Sequence, residues 1–340
     1  MPLPAIRMPS RARLLAALSA LLLFGALVGC STLSGSDAPP APAAPAPSGA
    51  AAGSAPELTE LQVGVLPIVD LAAVQRAQSA GYFAAEGLTV ELVTIQGGAA
   101  AVPQLVSGDL DLTWSSWPSV ILAQQQGVTR FHVLQTGYDT ADGSFQLMTL
   151  PGSTVRTPQD LVGKKVATNT FRSITEIMAR SAMQRAGVDP NGVQFVELPF
   201  PDMIPALQNN QIDAAILLEP FVTVAKGMGA VSVLNVASGP TAGLPIAGVA
   251  STAEFAQQNP NTVAAFSRAL DKAQAEMSDR AIVEQVLPTY TTIKPDAVSQ
   301  LQLGAWPATL EAERLQQVAD LMLEFGVITE KFDVAPLLAD

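Results

Sequence analysis

Residues 102–127 read VPQLVSGDLDLTWSSWPSVILAQQQG, and residues 204–229 read IPALQNNQIDAAILLEPFVTVAKGMG. The two segments align without a gap at an offset of 102. Pro103, Leu105, Asp111, Pro118, Val120, Ala123 and Gly127 recur as Pro205, Leu207, Asp213, Pro220, Val222, Ala225 and Gly229, and Leu110-Asp111 is echoed by Ile212-Asp213. Upstream, GLTVELV (87–93) resembles GVQFVEL (192–198), and LQVGV (61–65) resembles KKVAT (164–168), with small shifts in offset. A repeat of this length means that one structural unit occurs twice. Each copy runs strand, helix, strand, helix, strand, helix. The short β-rich runs alternate with stretches such as 71–85 and 174–186 that carry apolar residues at helical spacing. That alternation predicts parallel sheets covered on both faces, and two copies predict two α/β lobes.

The region before the first copy has a different character. Arg7, Arg11 and Arg13 precede an apolar run from Leu14 to Val28, then Gly29 and Cys30, the single cysteine of the chain. Fifteen residues fall short of the ~20 that span a bilayer, so 1–29 read as a cleaved secretory signal. Leu27-Val28-Gly29-Cys30 looks like the lipobox of bacterial lipoproteins, with Cys30 the acylated residue. Residues 30–56 are rich in Pro, Ala, Ser and Gly and lack aromatics, the composition of a disordered tether. The body is expected from residue 57 onward. With one cysteine it has no internal disulfide and depends on its apolar core.

Charge narrows the function classes. The formal net charge is −12, and loss of the three signal arginines makes it −15. Nucleic-acid binding needs a basic stripe, and none is visible. The lone histidine, His132, sits in the strand-like run RFHVLQTG and reads as structural. With no second histidine and the cysteine assigned to a lipid, a His/Cys metal cluster and a cysteine nucleophile are excluded, and no G-x-S-x-G elbow accompanies His132. The sequence calls for no cofactor.

In open parallel sheets ligands bind beyond the carboxyl ends of the strands, where helices begin. The residues there are Pro67 to Asp70, Gly97-Gly98 and Trp114-Ser115-Ser116-Trp117 in the first copy. In the second they are Asn169-Thr170-Phe171-Arg172-Ser173, Phe200-Pro201-Asp202 and Leu218-Glu219-Pro220. Asp70, Gly98, Ser115, Ser116, Trp117, Asn169, Thr170, Arg172 and Glu219 are the candidate ligand-binding residues. Each has a structural alternative. The serines and threonines suit helix caps, Trp114 and Trp117 suit a core, and Arg172 suits an ion pair. Arg172 stands at a helix start, where a cation is unfavourable unless an anion visits.

GYFAAEGLTVEL (81–92), GGAAAVPQLVSGDLDL (97–112), DLVGKKVATNT (160–170) and LEPF (218–221) resemble the solute-binding lipoproteins of ABC importers. The group in question is the NMT1 or SsuA-like one of nitrate, sulfonate, taurine and thiamine-pyrimidine binders, and the likeness runs from about Leu61 to Leu338. It implies the type II periplasmic-binding-protein fold, with two α/β lobes and a ligand cleft between them. Lobe one would comprise 57–148 and 248–340, lobe two 149–247, with crossing strands near 145–150 and 246–251. It implies capture of a small polar organic molecule (sulfonate, taurine-like, carboxylate or pyrimidine) by a monomer outside the cytoplasm. The lipid would be the sole membrane contact, and the molecule would pass to an ABC permease. The alternatives are an enzyme of pyrimidine or tetrapyrrole metabolism on the same fold, or a solute-sensing lipoprotein. The chain lacks the cysteine-rich motif and active-site histidine of the pyrimidine-synthase relatives, which counts against catalysis.

Overall fold

The computed structural model describes residues 54–338, so the signal segment, Cys30 and nearly all of the tether lie outside it. The first part of the chain folds as β1 (Glu60–Val65), α1 (Ala72–Ser79), α2 (Tyr82–Ala85), β2 (Thr89–Thr94), α3 (Gly98–Ser107), β3 (Leu112–Ser116), α4 (Trp117–Gln125) and β4 (Phe131–Asp139). There follow β5 (Phe145–Thr149), β6 (Lys165–Thr168), α5 (Ile174–Arg185), β7 (Gln194–Glu197), α6 (Phe200–Gln208), β8 (Ala214–Leu218), α7 (Phe221–Gly227) and β9 (Val231–Asn235). The last elements are β10 (Pro245–Thr252), α8 (Ala253–Gln258), α9 (Pro260–Glu276), α10 (Arg280–Val286) and α11 (Ala312–Glu324). Among the described residues no helix is long and apolar enough to cross a membrane.

The strands form two five-stranded sheets, ordered β2-β1-β3-β10-β4 and β7-β6-β8-β5-β9. In the first, β1 lies parallel to β2 and β3, and β10 runs antiparallel between β3 and β4. In the second, β6 lies parallel to β7 and β8, and β5 runs antiparallel between β8 and β9. The sheets match strand for strand, as the repeat predicts. β3 covers 112–116 and β8 covers 214–218, the same offset of 102, and α3 and α6 carry Pro103 and Pro205 at equivalent interior positions. β8, with the sequence AAILL, is buried along its whole length because helices cover both of its faces.

The recurring aspartate performs the same task in each copy. Asp111 Oδ2 accepts the Gln62 N–H at 2.8 Å, and the Asp111 N–H donates to Gln62 O at 2.9 Å. Asp213 Oδ2 accepts the Lys165 N–H at 2.9 Å, and its N–H donates to Lys165 O at 2.9 Å. Each aspartate therefore pins the entrance of the third strand to the start of the first.

The chain leaves the first sheet through residues 140–144 and returns through 236–244, so the passages precede the positions where crossing strands were expected. β5 and β10 each sit wholly within one sheet. β5 follows β4 after five residues and enters the second sheet antiparallel to β8 and β9. The two passages are tied together. The Thr140 N–H donates to Leu244 O at 3.0 Å, the Leu244 N–H donates to Thr140 Oγ1 at 3.1 Å, and that hydroxyl donates to Thr241 O at 3.1 Å.

After β10 the chain stays with the first lobe. α9 packs on α1 and α2, stacking Phe266 on Phe83 with ring centroids 4.8 Å apart. Ala305 bridges to Asp139 at the end of β4, and Arg314 Nη1 donates to Asp139 Oδ2 at 2.7 Å. α11 packs against α4 and β10 and also reaches α5 of the second lobe.

The equivalence of the two aspartates sets a stability expectation. Asp111→Ala and Asp213→Ala should each lower unfolding free energy by about 1 kcal/mol, because each removes a half-exposed charged hydrogen bond. The losses should add in the double variant, since the sites sit in separate lobes, and denaturant titration reads both.

Candidate functional site

The carboxyl ends of the parallel strands in both sheets, and the helices that follow them, surround a cavity of about 40 Å³. Residues of both lobes line it, and hydrogen bonds between the lobes hold its walls together. The first lobe contributes Asp70 from the loop after β1, Gly97 and Gly98 at the start of α3, and Trp114 and Ser116 from the end of β3. From the second come Asn169, Ser173 and Thr175 at the entry to α5, and Phe200 at the entry to α6. Ile68, Phe145, Leu218 and Ile246 complete an apolar wall.

Close approach of α3 to β3 depends on glycine. A Cβ on Gly98 would fall 2.2 Å from Ser115 Oγ, and one on Gly97 would fall 2.9 Å from Asn169 Nδ2 across the cleft. Asn169 is held by its neighbours: its Oδ1 accepts the Thr175 hydroxyl at 2.8 Å and the Ser173 hydroxyl at 3.2 Å. Its amide nitrogen is thereby left beside Gly97. Gln96 Nε2 donates to Asn169 O at 3.3 Å, and the Val69 N–H donates to Glu219 O at 3.1 Å, so backbone and side-chain bonds already join the lobes.

Asp70 differs from every other group on the wall. Its backbone is fixed, with Asp70 O accepting the Trp306 indole N–H at 3.2 Å and Ile68 O accepting the Tyr290 hydroxyl at 2.9 Å. Its carboxyl is 1 % exposed, and Oδ1 has no hydrogen-bond partner. Burial pushes its pKa up to about 7, against the weaker opposing pull of its own backbone N–H and of the nearby Trp114 indole. The Trp114 N–H also lacks a partner at hydrogen-bonding geometry. Burial pushes the neighbouring phenols of Tyr138 and Tyr290 upward, and the Asp70 charge adds to both shifts.

Four of the candidate residues, Asp70, Gly98, Ser116 and Asn169, line the cavity. The other five do not. Side chains alternate along β3, so Trp114 and Ser116 face the cavity while Ser115 turns to the other side, under Gly98. Trp117 is fully buried and packs its ring where a Cβ on Gly248 would stand, which makes it a core residue. Thr170 is buried beside Gly97 without reaching the cavity wall. Arg172 adopts a left-handed backbone (φ 57°), and its N–H donates to Glu176 Oε2 at 2.7 Å. Its side chain lies with Phe171 in a separate surface groove against Ala99, Val102 and Ser119. Glu219 is completely buried and fully partnered, accepting the Thr223 N–H and hydroxyl at 3.0 Å each and the Gln302 N–H at 3.1 Å. Arg172 and Glu219 therefore do not share a crevice. Trp114, not chosen from the sequence, was identifiable from the two-residue period of β3. Among the described residues no cluster of His, Cys, Asp and Glu has the makings of a metal site.

Two lobes of mixed α/β structure closed over a cavity at the strand ends define the periplasmic-binding-protein class of fold. Residues 69–280 match the family model described as NMT1/THI5 like, and the chain belongs to that family. It is 30 % identical over 201 residues to the taurine-binding periplasmic protein of Escherichia coli (strain K12), an alignment covering 58 % of this chain and 61 % of that protein. The ligand-binding component of an ABC-type import system from Staphylococcus aureus, solved with zinc bound, superposes with a TM-score of 0.72 at 15 % identity. That match covers 83 % of this chain and 97 % of the other. The alkanesulfonate-binding protein SsuA from Xanthomonas axonopodis pv. citri, bound to MOPS, gives a TM-score of 0.69 at 18 % identity, over 83 % of this chain and 99 % of its own.

The isolated carboxyl of Asp70 fixes a pH dependence. Its folded pKa of about 7 lies above the ordinary aspartate value of 3.8, so the folded state holds a proton that the unfolded chain releases between those limits. Stability linked to Asp70 is therefore complete below pH 3.8 and is lost as pH rises through about 7. Asp70→Asn should raise the unfolding free energy of the ligand-free protein at pH 8 by on the order of 3 kcal/mol and change it little at pH 4. Thermal unfolding of the two proteins across that range is the measurement.

Proposed function

We propose that the protein is an extracytoplasmic solute-binding component of an ABC importer, held to the membrane by a lipid on Cys30. In this reading it captures a small polar organic molecule that carries an anionic group. The observation that carries the reading is the cavity itself, assembled from strand-end loops of two lobes between which the chain crosses at two short passages. A ligand bound there touches both lobes at once only when they are shut, so binding favours the shut form over an open one. The N-termini of α3 and α5 open onto the cavity at Gly98 and Ile174, and their free backbone N–H groups suit an anionic head such as a sulfonate or carboxylate. The cavity wall offers a single titratable side chain, Asp70, and no nucleophile with a base beside it, which favours binding over catalysis. The taurine- and alkanesulfonate-binding relatives support the ligand class, and the import-system component supports a permease as partner.

Ligand that binds only the folded state adds about 2.7 kcal/mol of stability at a hundredfold excess over Kd. Thermal shift against taurine, alkanesulfonates, nitrate, carboxylates and aminopyrimidines should give a rise for at least one organic anion, and a flat response to the whole set would remove the solute-binding reading. Calorimetry should then find the affinity of Arg172→Ala within about twofold of the parent, since its guanidinium occupies a different groove.

The tether is checked separately. Mass spectrometry of the membrane fraction should show the chain beginning at an acylated Cys30. Cys30→Ser should leave the precursor unacylated and its body folded, and an unmodified thiol in the parent protein would refute the anchor.

A further inference from the structure

Among the residues lining the cavity there is one carboxyl group and no lysine, arginine or histidine. A plain monoanion entering this space would bring a second negative charge beside Asp70 with no side-chain cation to offset either. Yet the starts of α3 and α5 at Gly98 and Ile174 present positive dipole ends to the same cavity. The two features attract opposite charges at the same cavity: Asp70 and α3 belong to the first lobe and α5 to the second.

The carboxyl of Asp70 is 1 % exposed and has an oxygen that accepts nothing, although the loop that carries it is anchored through its backbone at Asp70, Val69 and Ile68. A buried carboxylate held rigidly with one oxygen left without a donor is costly to the free protein, and Glu219, the neighbouring buried acid, shows the contrasting case with three donors. What Asp70 lacks is a cationic donor small enough for a cavity walled by Trp114, Phe145 and Phe200. Aromatic walls favour that same occupant, because the faces of their rings attract cations.

We infer that the ligand is a zwitterion: a short amino-sulfonate or ω-amino carboxylate whose ammonium group seats on Asp70 beside the Trp114 ring and whose anionic head meets the N-terminal ends of α3 and α5. Asp70 is then the residue that separates amine-bearing ligands from simple anions of the same length. This rests on the solute-binding reading above and narrows its ligand class.

The test uses two matched pairs on the full folded body by calorimetry at pH 7.5. Taurine is set against isethionate, and β-alanine against 3-hydroxypropanoate, each pair differing in an ammonium replaced by a hydroxyl. In the parent protein at least one amine member should bind tighter than its hydroxyl partner by about tenfold or more, the gain expected of one charged hydrogen bond. In Asp70→Asn that preference should fall below about threefold, through loss of affinity for the amine member and, for the hydroxyl member, an affinity unchanged or raised now that the opposing charge is gone. Hydroxyl members that bind as tightly as their amine partners, or a preference that survives in Asp70→Asn, overturn the assignment of Asp70 while leaving the solute-binding reading intact. Failure of all four compounds to bind a parent protein that stabilises with some other solute overturns the zwitterion. Failure of all four together with a flat wider screen overturns both.

Discussion

Each sheet is completed by a strand that arrives antiparallel across one of two short passages, and the rest of the architecture follows from that constraint. β5 follows β4 after only five residues and inserts antiparallel between β8 and β9. β10 does the same between β3 and β4 on the way back. The passages lie side by side, hydrogen-bonded through Thr140, Thr241 and Leu244, and they leave the parallel strands of both sheets ending toward one another. The cavity is where those ends meet. Its position is thus a consequence of topology before any particular side chain is considered.

Two buried acids at this junction have opposite environments. Glu219 is saturated by Thr223 and Gln302, and it fastens the second lobe to the C-terminal segment that packs on the first. Asp70 faces the cavity with a free oxygen, and burial lifts its pKa to about 7. One carboxylate holds the lobes together, whereas the other is held ready by its surroundings at a cost in stability. Such a conflict between local stability and site chemistry is characteristic of binding and catalytic positions.

The candidate site was legible in outline. The strand-end segments chosen from the sequence include Asp70, Gly98, Ser116 and Asn169, all of which line the cavity, because the position of a loop relative to a strand end follows from the alternation of elements. The choice of side chain within each segment was less legible. Trp114 and Trp117 are three residues apart and chemically identical, but the first ends a strand with its ring toward the cavity and the second begins a helix with its ring toward Gly248. Arg172 and Glu219 followed strands as expected, yet a left-handed backbone turns one into a surface groove and a ring of donors absorbs the other.

The sequence by itself determined the duplication, the strand–helix alternation and hence two matching α/β lobes, because burial on both faces of a strand and one face of a helix leaves a period in the residues. It also located the loops from which the site is drawn and, in the recurrence of Asp111 and Asp213, marked a pair of equivalent hydrogen bonds. Only the tertiary structure decided where the chain changes sheets, which carboxylate keeps its partners and which is left without them. Those outcomes depend on groups far apart in the chain: Gln302 satisfies Glu219 from 83 residues away, and the Trp306 indole anchors the backbone of Asp70 from 236 residues away without reaching its carboxyl. No local pattern records which of two acids a distant donor will reach, since that is settled by how the lobes and the C-terminal segment pack.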